Sequence, residues 1–303
     1  MITSGGHPRT PGPAFDPTAL GRFTEEREFK AEAARTIAYA AATNDTGQRH
    51  VAGELAPPVF AIVPVWDALT AAAGLVTPPE AFASVVHSEQ DMRFFRPIVP
   101  GEVLRSKATP ISVAVRGVGT TVVVRTETVD AAGRPVNEQF VTLFFRGPFE
   151  GSSGGEPAPE HRLTAATKAG APVAEVTYAF DADQTFRYAE ASGDPVRIHL
   201  DDDAARALGL PGIIIHGLCT MAFCGRAVIE SVAGGDPTRL ARLAVRFSRP
   251  VLPGQEITIR IYAGGDDSYG FEALNAEGQA VVKDGLAELS PRGTPPPNPR
   301  GAP

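Results

Sequence analysis

Asp194 and His199 stand five residues apart in the loop ASGDPVRIH, and Asp45 and His50 repeat that spacing in ATNDTGQRH. A carboxylate and an imidazole on one short loop can divide acid–base work, one taking a proton from water and the other delivering one to carbon. Together they are worth on the order of 10²–10⁴-fold in rate. Chemistry of this kind also needs fixed donors for the negative charge that develops. Gly217 opens an apolar helical run from Leu218 to about Val232, and the first N–H groups of a helix have no partner within it and point toward anions. Glycine lets a carbonyl come close, and one such donor is worth about 10²–10³ in rate. In the other copy the positions of His216 and Gly217 are held by Ile62 and Val63, with Pro64 next. A β-branched side chain blocks close approach and proline has no N–H to offer, so catalysis is expected at Asp194, His199 and Gly217.

Each of these residues has a plainer reading. Asp194 precedes a proline and could simply shape a turn; its company with His199 and the later His216-Gly217 favours a site. His216 reads as a core or supporting histidine ahead of a proton carrier. Asp194, His199 and His216 could ligate a metal, but no ligand spacing backs it, so none is expected. Asp201, Asp202 and Asp203 read as the charged start of a helix rather than calcium ligands. Arg93, Arg96, Arg246 and Arg249 read as solvated strand ends, with phosphate contact the lesser alternative.

The elements that must carry these residues occur twice. RFFRPIVPG at Arg93–Gly101 returns as RFSRPVLPG at Arg246–Gly254, 153 residues later. Solenoid repeats recur every 20 to 50 residues or so, hence this interval points to duplication of a whole domain. Tyr39 lies six before Asp45 and Tyr188 six before Asp194. In each half a short strand (FTEEREF, VAEVTYAF) precedes a helix, a loop, an apolar helix and a run of alternating strands. The expected fold class is α+β, a double hotdog: two tandem copies of a long helix wrapped by an antiparallel sheet. The expected boundaries are a disordered N-terminus at 1–17, a first hotdog at 18–146 and a Gly/Pro/Ser-rich linker at 147–172. A catalytic hotdog at 173–289 and a disordered tail at 290–303 complete the chain.

The segment YAEASGDPVRIHLDDDAARALGLPGIIIHGLCTMAF resembles the signature of the MaoC-like (R)-specific enoyl-CoA hydratases, or hydratase 2. Ser192, Gly193, Asp194, His199, Pro211, His216 and Gly217 match the family pattern; its Asn and Pro are replaced here by Val196 and Arg197. The resemblance runs from about Phe23 to Leu289 and implies a degenerate first hotdog that supports the acyl chain or coenzyme A. It also implies hydration of a trans-2-enoyl-CoA to the (R)-3-hydroxyacyl-CoA, or the reverse. Ser192, Gly193 and His216 would then line the substrate, with coenzyme A entering as part of that substrate and no separate cofactor; Arg197, which departs from the pattern, could reach a coenzyme A phosphate, though a solvated loop arginine is the commoner case. The alternatives are a dehydratase acting on acyl-carrier-protein thioesters, a hotdog thioesterase and a non-catalytic acyl-binding partner.

Charge and composition set the surroundings. The net charge of −7, without any Lys/Arg run, argues against nucleic acid. Cys219 and Cys224 fit neither a disulfide framework nor a CxxC metal site, and read as core residues of a protein in a reducing compartment. With no apolar segment of spanning length before Asp67, His216 or Arg226 interrupts it, a cytoplasmic protein is expected, away from the membrane. Duplication supplies within one chain the pairing that single hotdogs get by dimerising, and two such chains could associate further as a homodimer.

Overall fold

The structure, a computed structural model, describes residues 14–291. Residues 1–13 and 292–303 lie outside them, and with these most of the two stretches expected to be disordered. Within the first stretch, however, Ala14–Phe15 forms a strand against Glu150–Gly151, and Phe15 is buried against Phe145 and Phe149. One buried aromatic is enough to fix this end of the chain, so the expected disorder does not hold for residues 14–17. Nor does it hold for Ser290, which is buried with its N–H on the Arg239 carbonyl at 2.7 Å.

The first half consists of β1 (Arg27–Lys30), α1 (Ala33–Ala42), α2 (Trp66–Gly74) and strands β2 (Val85–Phe94), β3 (Val103–Arg116), β4 (Gly119–Asp130) and β5 (Pro135–Arg146). The second half repeats it with β6 (Ala174–Ala179), α3 (Gln184–Ser192), α4 (Asp202–Ala207), α5 (Gly217–Ser231), β7 (Leu240–Phe247), β8 (Glu256–Gly265), β9 (Ser268–Leu274) and β10 (Ala280–Leu289). All join one sheet in the order β1-β3-β4-β5-β2-β7-β10-β9-β8-β6, which reads the same from either end when each strand is matched to its duplicate. The halves meet where β2 pairs antiparallel with β7: Arg93 faces Arg242, Asp91 faces Ala244 and Glu89 faces Arg246. Since 246 is 93 plus 153 and 242 is 89 plus 153, each strand meets its own copy about a local twofold, the self-complementary contact of a dimer made inside one chain. Arg242 closes the seam by donating from Nε and Nη2 to the two oxygens of the buried Asp91 carboxylate, at 3.0 and 2.9 Å. A single hydrophobic core runs through both halves.

The two central helices differ for a reason visible in the sequence. α5 is 15 residues long and buried nearly all round, with Arg226 and Glu230 on its open side, and it carries Cys219 and Cys224 into the core. A helix apolar on most faces belongs inside a sheet wrap. The first half was expected to have an equally long helix, but Pro58–Val65 winds as a 3-10 helix and the α-helix proper covers only Trp66–Gly74, nine residues. Pro64 cannot donate to an i−4 carbonyl and its ring would clash there. The echoed RFFRPIVPG and RFSRPVLPG were also expected as strands. Pairing stops at Phe94 and Phe247, and the prolines turn the chain before Gly101 and Gly254, both at positive φ.

Residues 147–172 form a strap laid on the sheet. Gly154–Gly155 pairs with Ser112–Val113 of β3, His161 is buried and donates from Nδ1 to the Asp284 carbonyl at 2.7 Å, and Leu163 and Thr167 cover Gly270 of β9. No helix among the described residues is long and apolar enough to cross a membrane.

Candidate active site

Helix α3 ends at Gly193, which takes the left-handed conformation (φ 76°) and turns the chain into Asp194. The Asp194 amide donates to Ser192 Oγ at 3.3 Å, so the buried Ser192 shapes the turn. A short 3-10 turn over Arg197–His199 then brings His199 inward, 8% exposed. Its Nδ1 lies 2.8 Å from the Ile214 carbonyl. A carbonyl only accepts, so Nδ1 carries the proton and Nε2 keeps its lone pair. Nε2 has no protein partner among the described residues.

His216 is the residue just before α5. Its ring stacks on that of His199, with centroids 3.7 Å apart and planes 22° apart, and packs against Tyr188. Its Nε2 donates to the Asp194 backbone carbonyl at 3.1 Å, which leaves Nδ1 to accept from the Thr185 hydroxyl at 3.1 Å. Thr185 also lies within hydrogen-bond reach of the His199 carbonyl. His216 thus ties the Asp194 main chain to the His199 ring. One side-chain ligand atom each from Asp194, His199 and His216 lie within 4.8 Å of one another. Both nitrogens of His216 are engaged, Nε2 on the Asp194 carbonyl and Nδ1 on the Thr185 hydroxyl, so the Asp194 carboxylate and Nε2 of His199 are the groups left open for acid–base work.

Electrostatics separate the groups. Burial raises the Asp194 carboxyl, opposed in part by a hydrogen bond from the Val196 N–H. Burial pushes His199 down to about 4, against the pull of the Ile214 carbonyl. Burial, with repulsion from His199, lowers His216 to about 2. Both imidazoles are therefore neutral at pH 7. In the unfolded chain each takes a proton near pH 6.5, so below that pH the unfolded state binds more protons and stability falls with pH down to the folded values. Each histidine contributes a slope of up to about 1.4 kcal/mol per pH unit in that window. His216→Gln should flatten the decline in urea stability between pH 6.5 and 4 by roughly one proton's slope; equal slopes would mean that His216 is not held neutral.

Helix α5 begins at Gly217 with no side-chain cap on its first N–H groups. By contrast α4 is capped by Asp201, which accepts from the Ala204 N–H at 3.0 Å, the helix-start role expected of the Asp201–Asp203 run. A Cβ on Gly217 would meet three carbons of the Phe247 ring at 3.2 Å. Arg197 points to solvent, 75% exposed, and pairs with Asp201. Val196, where the family has Asn, is exposed.

The first half uses the same spacing differently. His50 Nδ1 sits 2.7 Å from Asp45 Oδ2, and Asp45 Oδ1 accepts from the Gly47 N–H at 2.8 Å. Burial alone would raise the Asp45 carboxyl, but the His50 hydrogen bond and charge, Gly47 and Arg226 bring it below its ordinary value. Asp45 and His50 are bonded to each other with His50 Nε2 unpartnered but shut off from solvent, whereas Asp194 and His199 are each held by main chain. Of the four arginines at the echoed turns, Arg93 pairs with Glu138, Arg96 with Glu102 and Asp130, and Arg246 with Glu89; Arg249 donates to the Ala280 carbonyl.

Residues 164–283 match the MaoC like domain, and residues 19–139 match the FAS1-like, dehydratase domain region. Over 300 residues the chain is 30% identical to 3-hydroxyacyl-thioester dehydratase Y of Mycobacterium tuberculosis, covering 91% of this chain and 98% of that protein. The chain belongs to the MaoC-like dehydratase family. It is accordingly a lyase. It is also 27% identical over 209 residues to a probable enoyl-CoA hydratase 2 of Dictyostelium discoideum, covering 68% of this chain and 70% of that one. Among solved structures, a MaoC-like dehydratase from Phytophthora capsici superposes with a TM-score of 0.78 at 24% identity, over 90% of this chain and 97% of that chain, and so shares the double-hotdog fold.

Thr185, Phe247 and the Ile214 carbonyl had no place in the sequence reading. Thr185, Tyr188 and Ser192 share one buried face of α3 at spacings of three and four, a signal that was present. Phe247 and the Ile214 carbonyl come from elements whose approach to the site no local pattern announces.

Proposed function

We propose that the chain interconverts a trans-2-enoyl thioester and water with the (R)-3-hydroxyacyl thioester. The observation that carries this is His199: fixed through Nδ1 on Ile214, neutral, with Nε2 unpartnered beside the half-buried Asp194 carboxyl. Water held between Nε2 and the carboxylate loses a proton to one of them as its oxygen bonds C3, and a proton returns to C2. Charge gathers meanwhile on the thioester oxygen, for which the uncapped Gly217 N–H at the start of α5 is the donor. The burial of His50 Nε2 away from solvent supports placing the chemistry in the second half. The names carried by relatives, an enoyl-CoA hydratase 2 and a 3-hydroxyacyl-thioester dehydratase, fit either direction. Coenzyme A enters only as part of the substrate, and no separate cofactor takes part.

Incubation with crotonyl-CoA tests the reading: loss of the enoyl absorbance with 3-hydroxybutyryl-CoA as product is expected, in the (R) form by chiral chromatography. The two groups sit on one short loop and can reach only one face of a flat enoyl group. Predominantly (S) product would refute the mechanism, and free coenzyme A without hydroxyacyl product would make the chain a thioesterase.

A further inference from the structure

We propose that Arg35 and Trp66, both from the first half, are positioning residues for the Asp194 loop; this rests on the reading of Asp194 given above. The last carbonyls of a helix need outside donors, and those of α3 receive them from the other half of the chain. Arg35 donates from Nε to the Ala191 carbonyl at 3.1 Å and from Nη2 to the Ser192 carbonyl at 3.3 Å. Trp66 donates from Nε1 to the same Ser192 carbonyl at 3.1 Å. Asp194 follows two residues later, with its amide on Ser192 Oγ and its carbonyl on His216. Ser192 is therefore the fixed point from which the Asp194 carboxyl is aimed: two N–H bonds from the first half hold its carbonyl and a third holds that of Ala191 next to it. Space is tight as well: a Cβ on Gly193 would come within 2.9 Å of Arg35 Nη2.

The same device works in the opposite direction without serving the site. The end of α1 is held by second-half donors: Arg187 on the Ala41 carbonyl at 2.8 Å, Gln184 on Ala42 and Arg226 on Asn44. This reciprocal set supplies an internal control, since both sets join the halves but only one ends beside Asp194. A displacement of about 1 Å in a reacting group can cost about 10²-fold in rate, so partial loosening should be read in turnover before it is read in affinity.

Trp66→Phe keeps the ring and deletes only the donor; Arg35→Met keeps the stem and deletes the guanidinium. Each should lower kcat for crotonyl-CoA about tenfold with KM within about twofold, and Arg35→Lys, which retains one donor, should recover part of the loss. Hydrogen exchange in residues 193–200 should quicken in Trp66→Phe and Arg35→Met and stay unchanged in Arg226→Met, whose kcat should also hold. Unchanged exchange with full kcat in the first two variants would overturn the proposal, as would an equal loss of kcat in Arg226→Met. The exchange arm reports on the loop even if the wild-type chain hydrates nothing, so failure of the positioning role and failure of the proposed reaction are told apart.

Discussion

Asp194→Asn and His199→Gln should each lower kcat for hydration of crotonyl-CoA at least about 10²-fold, the lower edge for loss of a general acid or base. Asp194→Asn preserves shape, and His199→Gln keeps a polar side chain of similar length while losing the stack on His216. In Asp194→Asn the N–H and carbonyl of position 194 would keep their bonds to Ser192 Oγ and His216, because both are made by the main chain. Circular dichroism and gel filtration should thus match the wild type while turnover collapses. Asp45→Asn and His50→Gln provide the contrast. That pair is buried and mutually bonded at 2.7 Å, so its loss should appear in stability, with kcat kept within about threefold because neither group performs general acid or base work. Equal losses of kcat in both halves would place chemistry in the first half too.

The second large effect concerns Gly217. Proline suits the first position of a helix, where its missing N–H has no intrahelical partner and its φ is already helical. The residue before proline prefers extended backbone, and His216 already sits at φ −59°, ψ 135°. Gly217→Pro therefore suits the start of α5 and removes one donor, while its Cβ makes the same 3.2 Å contact with the Phe247 ring as alanine's, so the two variants differ chiefly in that donor. It should cost about 10²–10³-fold in kcat, the range for one oxyanion donor. Gly217→Ala keeps the N–H but sets a Cβ 3.2 Å from the Phe247 ring, so it should cost much less, mostly in KM. If proline and alanine give the same rates, the Gly217 N–H is not the donor.

Much of this was legible in the sequence because duplication printed the fold twice. The Asp-x4-His loops, the paired tyrosines and the echoed turns fixed the order of elements, and the apolar run after Gly217 gave α5 its place. Arg197 faces solvent against Asp201, as a loop arginine ordinarily does, and Ser192 Oγ accepts from the Asp194 amide of the turn. What escaped the sequence are contacts between halves. The Tyr39 and Tyr188 hydroxyls meet at 3.1 Å, and nothing in the residues around either announces it. Arg35 and Trp66 likewise reach Ala191 and Ser192 from the far half of the chain. Local periodicity describes faces and caps; it is silent on which distant donor will satisfy a helix end.

The terminal strands of the sheet have a consequence for how this protein behaves in a crowded solution. β1 and β6 pair on one side only, β1 with β3 and β6 with β8, and unpaired strand edges invite other chains to add on. Here both edges are poor templates. β1 has four residues, three of them the charged Arg27, Glu28 and Lys30, and Gly154–Gly155 covers β3 farther along at Ser112–Val113. β6 has six residues and carries Glu175, paired with Arg260. Fusing two hotdogs hid the long edges of β2 and β7 permanently inside one chain and left only short, charged ones outside. Runaway edge-to-edge aggregation is thereby discouraged.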